Sequence, residues 1–514
     1  MPITDRAVYP IARQTQQHDK ETPMKKHLKK ALCLILSAAF TMTSIPAANI
    51  TAGDKASSLK SNTLHMTIGE KTKIKIKNKK SGATYKFKVT GKSVAKVNKK
   101  GRITALSEGF AGISVKEVFK GKMRKLGTIS LTVDERIPND NFINSTADFS
   151  VNLFKKTCLN DIKAGKNTLM SSESVINALM LLTEGAKGDT FDELTQTITG
   201  GISFEDYRDE LMCFNNKLTV SQYVKFHLAN SVWVKDDEND IKVKDDYRKN
   251  VKKYYGADFF ARPFNSDTVD EINGWVSDNT DAMIPQLLDE LSPDAVAVLL
   301  NALCFDGEWA EQYQSVSKGE DFTNSKGVKE KANMLYGTEH SYISDDKAIG
   351  FIKPYKGHDY SFMAILPNED VGVEKYLEDL NGQDLIDLYN SEGSDETHTK
   401  IPEFKYDYSA ELKDPLKAMG INKAFDPYGC DITGMGTTSF ENLFVSKVIH
   451  KTHIELDKNG TKAAAATAVV IGKGAAAPSH EEPKEVYLDR PFIYAIVDTD
   501  TGIPVFLGVV NTLQ

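Results

Sequence analysis

The spacing of hydrophobic and polar positions changes along the chain. Between about Leu59 and Val133 they alternate in short runs, as in Lys73-Ile74-Lys75-Ile76-Lys77 and Ile113-Ser114-Val115, with Gly and Asn between the runs. A period of two sends successive side chains to opposite faces, so this stretch predicts the half-buried antiparallel strands of a small β-sandwich. From Ser145 onward the pattern is mixed. Ser174 to Leu182 carries apolar residues at helical spacing, whereas Ala295 to Leu303 is the nearly continuous apolar run of a strand covered on both faces. Asp134 to Asn144, with Pro138 and several Asp and Asn, reads as a linker. The expectation is a multidomain chain: a β-sandwich over 55–134, a linker over 135–145 and a larger body of mixed α and β over 146–514. No repeat of solenoid length is visible.

The first 23 residues show no periodicity. Met24 then opens Lys25-Lys26-His27-Leu28-Lys29-Lys30, followed by an apolar stretch from Ala31 to Phe40 and small residues near Ala47 to Ala52. A basic head, a short apolar centre and a small-residue exit predict a signal peptide over 24–52, with 1–23 a non-native or disordered leader ahead of an internal start at Met24. The apolar centre is too short to span a bilayer. The chain is therefore expected to be secreted, either released or retained at the cell wall.

At 514 residues and 40% hydrophobic content, the chain is long enough for two or more cores. Its net charge of -7 conceals an asymmetry. Lys55 to Val133 holds 20 Lys plus Arg against three Glu, a balance of +17, while Asp134 to Gln514 holds 37 basic and 64 acidic residues, or -27. Within the basic stretch, Ser93-Val94-Ala95-Lys96-Val97-Asn98-Lys99-Lys100-Gly101-Arg102-Ile103-Thr104-Ala105-Leu106, followed by Gly109 and Gly112, resembles the bacterial Ig-like group 2 domain. Its lysines alternate with core positions and must form a positive outer face. Such a face is either a solvated surface that keeps edge strands apart or an adhesive surface for an anionic cell-wall polymer. Nucleic acid is disfavoured, because aromatics are not interleaved with the basic residues.

Removal of the signal segment would leave Cys158, Cys213, Cys304 and Cys430, scattered singly without paired spacing. They read as buried free thiols, with neither a disulfide framework nor a metal site. No cofactor is expected, since no zinc-binding His-Glu-x-x-His and no phosphate-binding glycine loop is present.

One segment stands apart: Asp457-Lys458-Asn459-Gly460-Thr461-Lys462-Ala463-Ala464-Ala465-Ala466-Thr467-Ala468-Val469-Val470-Ile471-Gly472-Lys473-Gly474-Ala475-Ala476-Ala477-Pro478. Alanines followed by β-branched residues are ambivalent between helix and strand, as suits a segment with two destinations. Entering a sheet, it would place Thr461, Ala463, Ala465, Thr467, Val469 and Ile471 on one face, and no proline interrupts a ladder before Pro478. Gly460 would supply the hinge.

This hinge with its alanines resembles the reactive-loop base of the serpin family. Val486 to Ile496 matches the family's C-terminal signature, and further matches run in order along the chain: Asn167 to Ser174, Ile272 to Val276, Ile284 to Leu288, Leu300 to Trp309, Lys353 to Tyr355 and Ile365 to Pro367. The resemblance implies an α+β serpin fold, with three β-sheets, surrounding helices and an exposed reactive loop. It implies a monomeric inhibitor of serine-type endopeptidases, not an enzyme: a protease cleaves the loop, is held as an acyl-enzyme, and is trapped as the cut strand inserts into the large sheet.

By the same resemblance the hinge is Gly460, Thr461, Ala463, Ala464, Ala465, Ala466 and Thr467, and the scissile bond is Gly474-Ala475, with Lys473 and Ala476 as neighbours. Small residues there suit an elastase-like or subtilisin-like extracellular target, whereas cleavage after Lys473 would mean a trypsin-like one. Ser171, Ser174, Asn301 and His450 match the shutter, where the sheet opens. A Ser-His pair also suits a hydrolase, but no third carboxylate or nucleophile-elbow motif accompanies it. Trp309 matches the breach, where insertion starts, together with Glu403 and Lys458. The family usually has Pro where Ser172 stands, Glu where Lys458 stands and Lys where Glu403 stands; a charge exchange would form a Glu403–Lys458 salt bridge. The alternative to inhibition is a non-inhibitory serpin or an adhesion protein. Bulky or charged residues between Gly460 and Ile471 would favour it, and only Lys462 is one.

Overall fold

The computed structural model describes residues 56–106, 109–134, 137–221, 223–235, 242–291, 297–437, 443–445, 447–461 and 482–513. The chain divides into Met1–Ala56 and a compact unit Ser57–Gln514. The signal segment, Ala463 to Thr467 of the hinge and Lys473 to Ala476 around the scissile bond lie outside the described residues.

The alternating stretch forms strands β1 (Thr63–Thr67), β2 (Lys71–Lys73), β3 (Thr84–Thr90), β4 (Ala95–Val97), β5 (Arg102–Ala105), β6 (Gly109–Phe119) and β7 (Lys122–Asp134). One sheet has the order β1-β7-β6-β3 and the other β2-β5-β4. Between them sit Met66, Ile74, Ala95, Ile103, Ile113, Val115, Ile129 and Leu131, a core of their own. The period of two is thus realised as inner and outer faces. Lys73 to Lys77 is not one strand as its alternation suggests: it breaks after Lys73, Ile74 turns into the core, and Ile76–Lys77 pairs with Ser58–Leu59.

The expected linker is shorter than its composition suggests. Helix α1 (Asp140–Lys163) starts inside it, and the Asn139 side chain caps that helix by accepting from Phe142 N at 3.0 Å. Residues that read as linker chemistry are in part capping chemistry, since Asn and Asp serve both.

The larger body holds a six-stranded sheet built from β8 (Val224–Lys235), β9 (Asp258–Arg262), β10 (Ala297–Glu308), β11 (Phe404–Glu411), β12 (Ile449–Leu456) and β13 (Gly460–Thr461), in the order β9-β8-β10-β13-β12-β11. A second six-stranded sheet and a four-stranded sheet complete the β framework. The C-terminal strands Phe492–Asp498 and Pro504–Val510, buried at every position, pair with each other inside the second sheet. Helix α2 (Ser172–Thr183), with Ser171 as its cap, packs against β10. The four cysteines Cys158, Cys213, Cys304 and Cys430 are free and buried, and burial pushes the Cys158 and Cys430 thiols up to about 12.

One feature of the large sheet governs the rest. β13 has two residues, yet it lies between β10 and β12 and runs antiparallel to both: Thr461 pairs with Gly307 on one side and Leu456 on the other. Among the described residues, β10 and β12 share no ladder with each other.

Candidate functional site: the hinge and the sheet it enters

The turn into β13 is wound around one carboxylate. Asp457 Oδ1 accepts from Asn459 N at 2.7 Å and from Gly460 N at 3.1 Å, and Asp457 N donates to Gly460 O at 3.0 Å. Trp309 grips this turn twice: its Nε1 donates to Asp457 O at 3.0 Å and its backbone N to Asn459 O at 2.9 Å. Tyr313 N adds a bond to Lys458 O at 3.1 Å. The indole is buried and stacked on Tyr355, with ring centroids 4.6 Å apart and planes 11° from parallel. Tyr355 in turn shares a hydrogen bond of 2.6 Å with Thr461 Oγ1. The breach residue named from sequence is therefore joined to the hinge by direct bonds.

Gly460 is required by proximity rather than by an unusual φ. A Cβ there would lie 2.1 Å from Gly307 O and 2.9 Å from Glu308 Cα, both backbone atoms, so any side chain would push β13 out of the sheet. Gly307 is matched to it, because a Cβ there would meet the Phe305 ring at 2.5 Å. Two glycines on adjacent rungs, Gly460 opposite Glu308 and Gly307 opposite Thr461, let the turn close against β10.

Beneath the aromatic cluster lies a pair that sequence reasoning missed. Lys353, buried in an otherwise apolar strand, places its Nζ 2.5 Å from Glu339 Oε1, 4.3 Å from the Tyr313 ring centroid and 5.7 Å from that of Trp309. A buried ammonium needs both a counter-charge and further partners, and here the two ring faces supply the second. The lysine within Phe351-Ile352-Lys353-Pro354-Tyr355 was the available signal: a charge inside an apolar run.

The Glu403–Lys458 salt bridge expected from sequence does not form. Glu403 Oε2 accepts instead from Asn333 Nδ2 at 2.9 Å, and no ion pair joins Glu403 to Lys458 among the described residues. The reason is local: the Asp457 turn is closed by its own backbone, and Lys458 contributes its carbonyl to Tyr313 while its side chain stays exposed.

Lower in the sheet, three of the four shutter residues come together. Ser171 N donates to His450 Nε2 at 3.1 Å, and Ser171 Oγ accepts from Ser174 N at 3.2 Å as the cap of α2. Ser172 takes the first helical position, where a proline's missing N–H would cost nothing, which explains how a serine replaces the family's proline there. His450 accepts through Nε2, so it is neutral with its proton on Nδ1, and burial lowers its pKa to about 4. The imidazole is bonded by the Ser171 backbone N–H while the serine hydroxyl serves the helix cap, so the contacts are those of an anchor. Asn301 stands apart from the other three. Its Nδ2 donates to Asn230 Oδ1 on β8 at 2.5 Å, and its Oδ1 is buried without a partner. Beside Ser172, Glu173 is also buried; its Oε1 accepts from Asn177 Nδ2 at 2.8 Å while Oε2 has no partner, and burial raises its pKa to about 8.

Comparison with known proteins covers this body. The family model described as "Serpin (serine protease inhibitor)" matches residues 144–513. The chain is 30% identical to leukocyte elastase inhibitor A of Mus musculus, over 70% of this chain and 96% of that protein. It is similar to the solved structures of the thermophilic serpin tengpin in its native state (38% identity, TM-score 0.68, 74% of this chain and 96% of that one) and in its latent state (35% identity, TM-score 0.65, 74% and 100%). Matched along its larger body by the family model and by whole-length relatives, this chain belongs to the serpin family.

Proposed function

We propose that the protein is a secreted suicide-substrate inhibitor of an extracellular serine protease, cleaved at Gly474–Ala475 and trapping its target by strand insertion. The observation that carries this reading is the seat of Gly460–Thr461 between β10 and β12. Six residues along each strand from the pairs Gly307↔Thr461 and Leu456↔Thr461, a strand that continued this register would bring Thr467 opposite Asn301 and His450 at once. Its hydroxyl would then lie beside the unpartnered Asn301 Oδ1. Ten residues along, Ile471 would lie opposite Ala297, where β10 begins. The segment up to Ile471 thus fits the length of β10, and the scissile bond falls three residues beyond it. Two six-residue shifts that bring one threonine opposite both Asn301 and His450 support insertion as the mechanism.

Small residues at the bond favour an elastase-like or subtilisin-like target, and the similarity to a protein named as a leukocyte elastase inhibitor agrees with the first. The N-terminal sheets are read as an Ig-like module that retains the inhibitor at an anionic cell-wall polymer, since it carries +17 against -27 on Asp134 to Gln514.

Incubation of the purified chain with elastase-like, subtilisin-like and trypsin-like proteases, followed by denaturing gels and intact mass, tests the proposal. A covalent complex with one of the first two, and a released fragment beginning at Ala475, is the expected result. Cleavage without complex by all three, with no gain in thermal stability of the cleaved chain, would overturn insertion.

A further inference from the structure

Four lysines of the N-terminal sheets gather on a particular face. In the sheet β1-β7-β6-β3, the outward residues stand in rows directly across the strands. One row is Lys86, Lys116 and Lys125; the next is Lys88, Ser114 and Thr128; the next is Thr90, Gly112 and Ser130; the last is Phe110, Thr132 and His65. On the other side of the lysine row lie Thr84, Val118 and Met123. The four lysines are exposed, and among the described residues none is paired with a carboxylate. Glu117, which lies between these rows in sequence, points inward instead, where it is buried and bonded to Arg124 at 3.2 Å.

Like charges placed directly opposite destabilise a sheet, so a row of three calls for a reason. Blunting an edge accounts for Lys86 and Lys88 on the edge strand β3. It does not account for Lys116 and Lys125, because β6 and β7 are the two central strands. The same face exposes Phe110 to 73% and Met123 to 53%; between them lie the lysine row and two rows of hydroxyls and glycine that also carry Lys88. Phe110 lies six residues along β6 from Lys116, roughly 20 Å.

Resting on the retention reading above, we propose that this face binds a linear acidic polysaccharide, with Lys86, Lys116 and Lys125 meeting its anionic groups and Phe110 packing on the apolar face of a sugar ring. A surface of lysines and hydroxyls with one exposed aromatic suits a chain of acidic sugars. Single-stranded nucleic acid takes successive aromatics on which bases stack, and this face offers one. The second sheet is also basic, with Lys73 opposite Arg102 and Lys96 on the same strand system, but Phe110 lies on the first.

The test uses the full chain on immobilised polygalacturonate and immobilised phosphomannan, which separate carboxylate from phosphate as the anion, with oligo(dT) and phosphatidylglycerol vesicles as the other polyanions. Retention by at least one polysaccharide, falling as salt rises, is expected. The Lys86→Gln/Lys116→Gln/Lys125→Gln variant should bind about tenfold more weakly, the sum of three exposed charge contacts of ordinary strength. Phe110→Ala should lose affinity that salt does not restore, and Lys73→Gln/Lys96→Gln/Arg102→Gln should bind as the parent does. All variants should keep the parent's circular dichroism and thermal unfolding, which shows that the substituted sheets fold. Absence of retention on both polysaccharides would overturn the retention reading along with this one. Retention that the first triple variant keeps, or that the second loses, would overturn this face alone. Equal binding to oligo(dT) or to vesicles would overturn the sugar ligand.

Discussion

The upper and lower parts of the large sheet's centre differ in how their polar groups are satisfied. At the top, the Asp457 turn, Trp309, Tyr355 and Thr461 form a closed set of bonds, with the hydroxyl of the neighbouring Tyr313 buried and unpartnered beside them. At the shutter, Ser171 and His450 are bonded, but Asn301 Oδ1 and Glu173 Oε2 are buried with none. A buried polar group without a partner costs about 1–3 kcal/mol. The top is therefore a latch already fastened, and on the proposed insertion the shutter is where free energy would be gained. That difference suits a molecule that stores strain until its loop is cut.

Gly460→Val should break the latch most completely. With a side chain pressed into Gly307 O, β13 cannot sit between its neighbours, so the loop should be cleaved while the covalent complex on denaturing gels disappears. Trp309→Ala should cost about 3–5 kcal/mol of stability in denaturant unfolding, the usual range for emptying a buried tryptophan site. Trp309→Phe would separate the stack from the two hydrogen bonds.

The shutter should show itself in pH dependence, with two opposite slopes. Glu173 has a folded pKa of about 8, above its ordinary 4.5. The folded state therefore holds a proton that the unfolded state has lost, and stability falls as pH rises through that window. His450 has a folded pKa of about 4, below its ordinary 6.5, so its contribution is present above pH 6.5 and is lost as pH falls toward 4. Urea midpoints measured from pH 4.5 to 8 should lose their alkaline decline in Glu173→Gln. An unchanged profile in that variant would place the titration elsewhere. Thr467→Val tests the other end of the comparison: it should leave the uncleaved chain unaffected and cost the cleaved chain about 1 kcal/mol, one hydrogen bond, in thermal unfolding. Glu403→Lys should change stability least, by under about 0.5 kcal/mol, because its carboxylate makes an exposed bond to Asn333 and none to Lys458.

The sequence made the latch legible in part. Gly460 and Trp309 were recognisable because they belong to ordered matches along the chain, and the period of Thr461 onward already suggested a strand. What stayed hidden were contacts between distant segments. Asn230, the partner of Asn301, comes from a neighbouring strand whose register no single sequence discloses. Glu403 and Lys458 were joined by charge alone, and charge is a weak guide where a turn is closed by its own backbone. The linker was overlong because Asn139 and Asp140 carry the same chemistry in a loop and at a helix start. Lys353 was visible as an anomaly, though its meaning needed the rings of Trp309 and Tyr313 around it.

The indole of Trp309 also gives the molecule a built-in optical reporter. The chain has three tryptophans, and Trp233 and Trp275 belong to another hydrophobic cluster, away from the hinge. Only the third has its ring nitrogen tied to the hinge turn and its face against the tyrosine that holds Thr461. Its emission wavelength and quenching should follow the arrival of a new strand in real time, so that the rate of loop entry can be read from native fluorescence without a label.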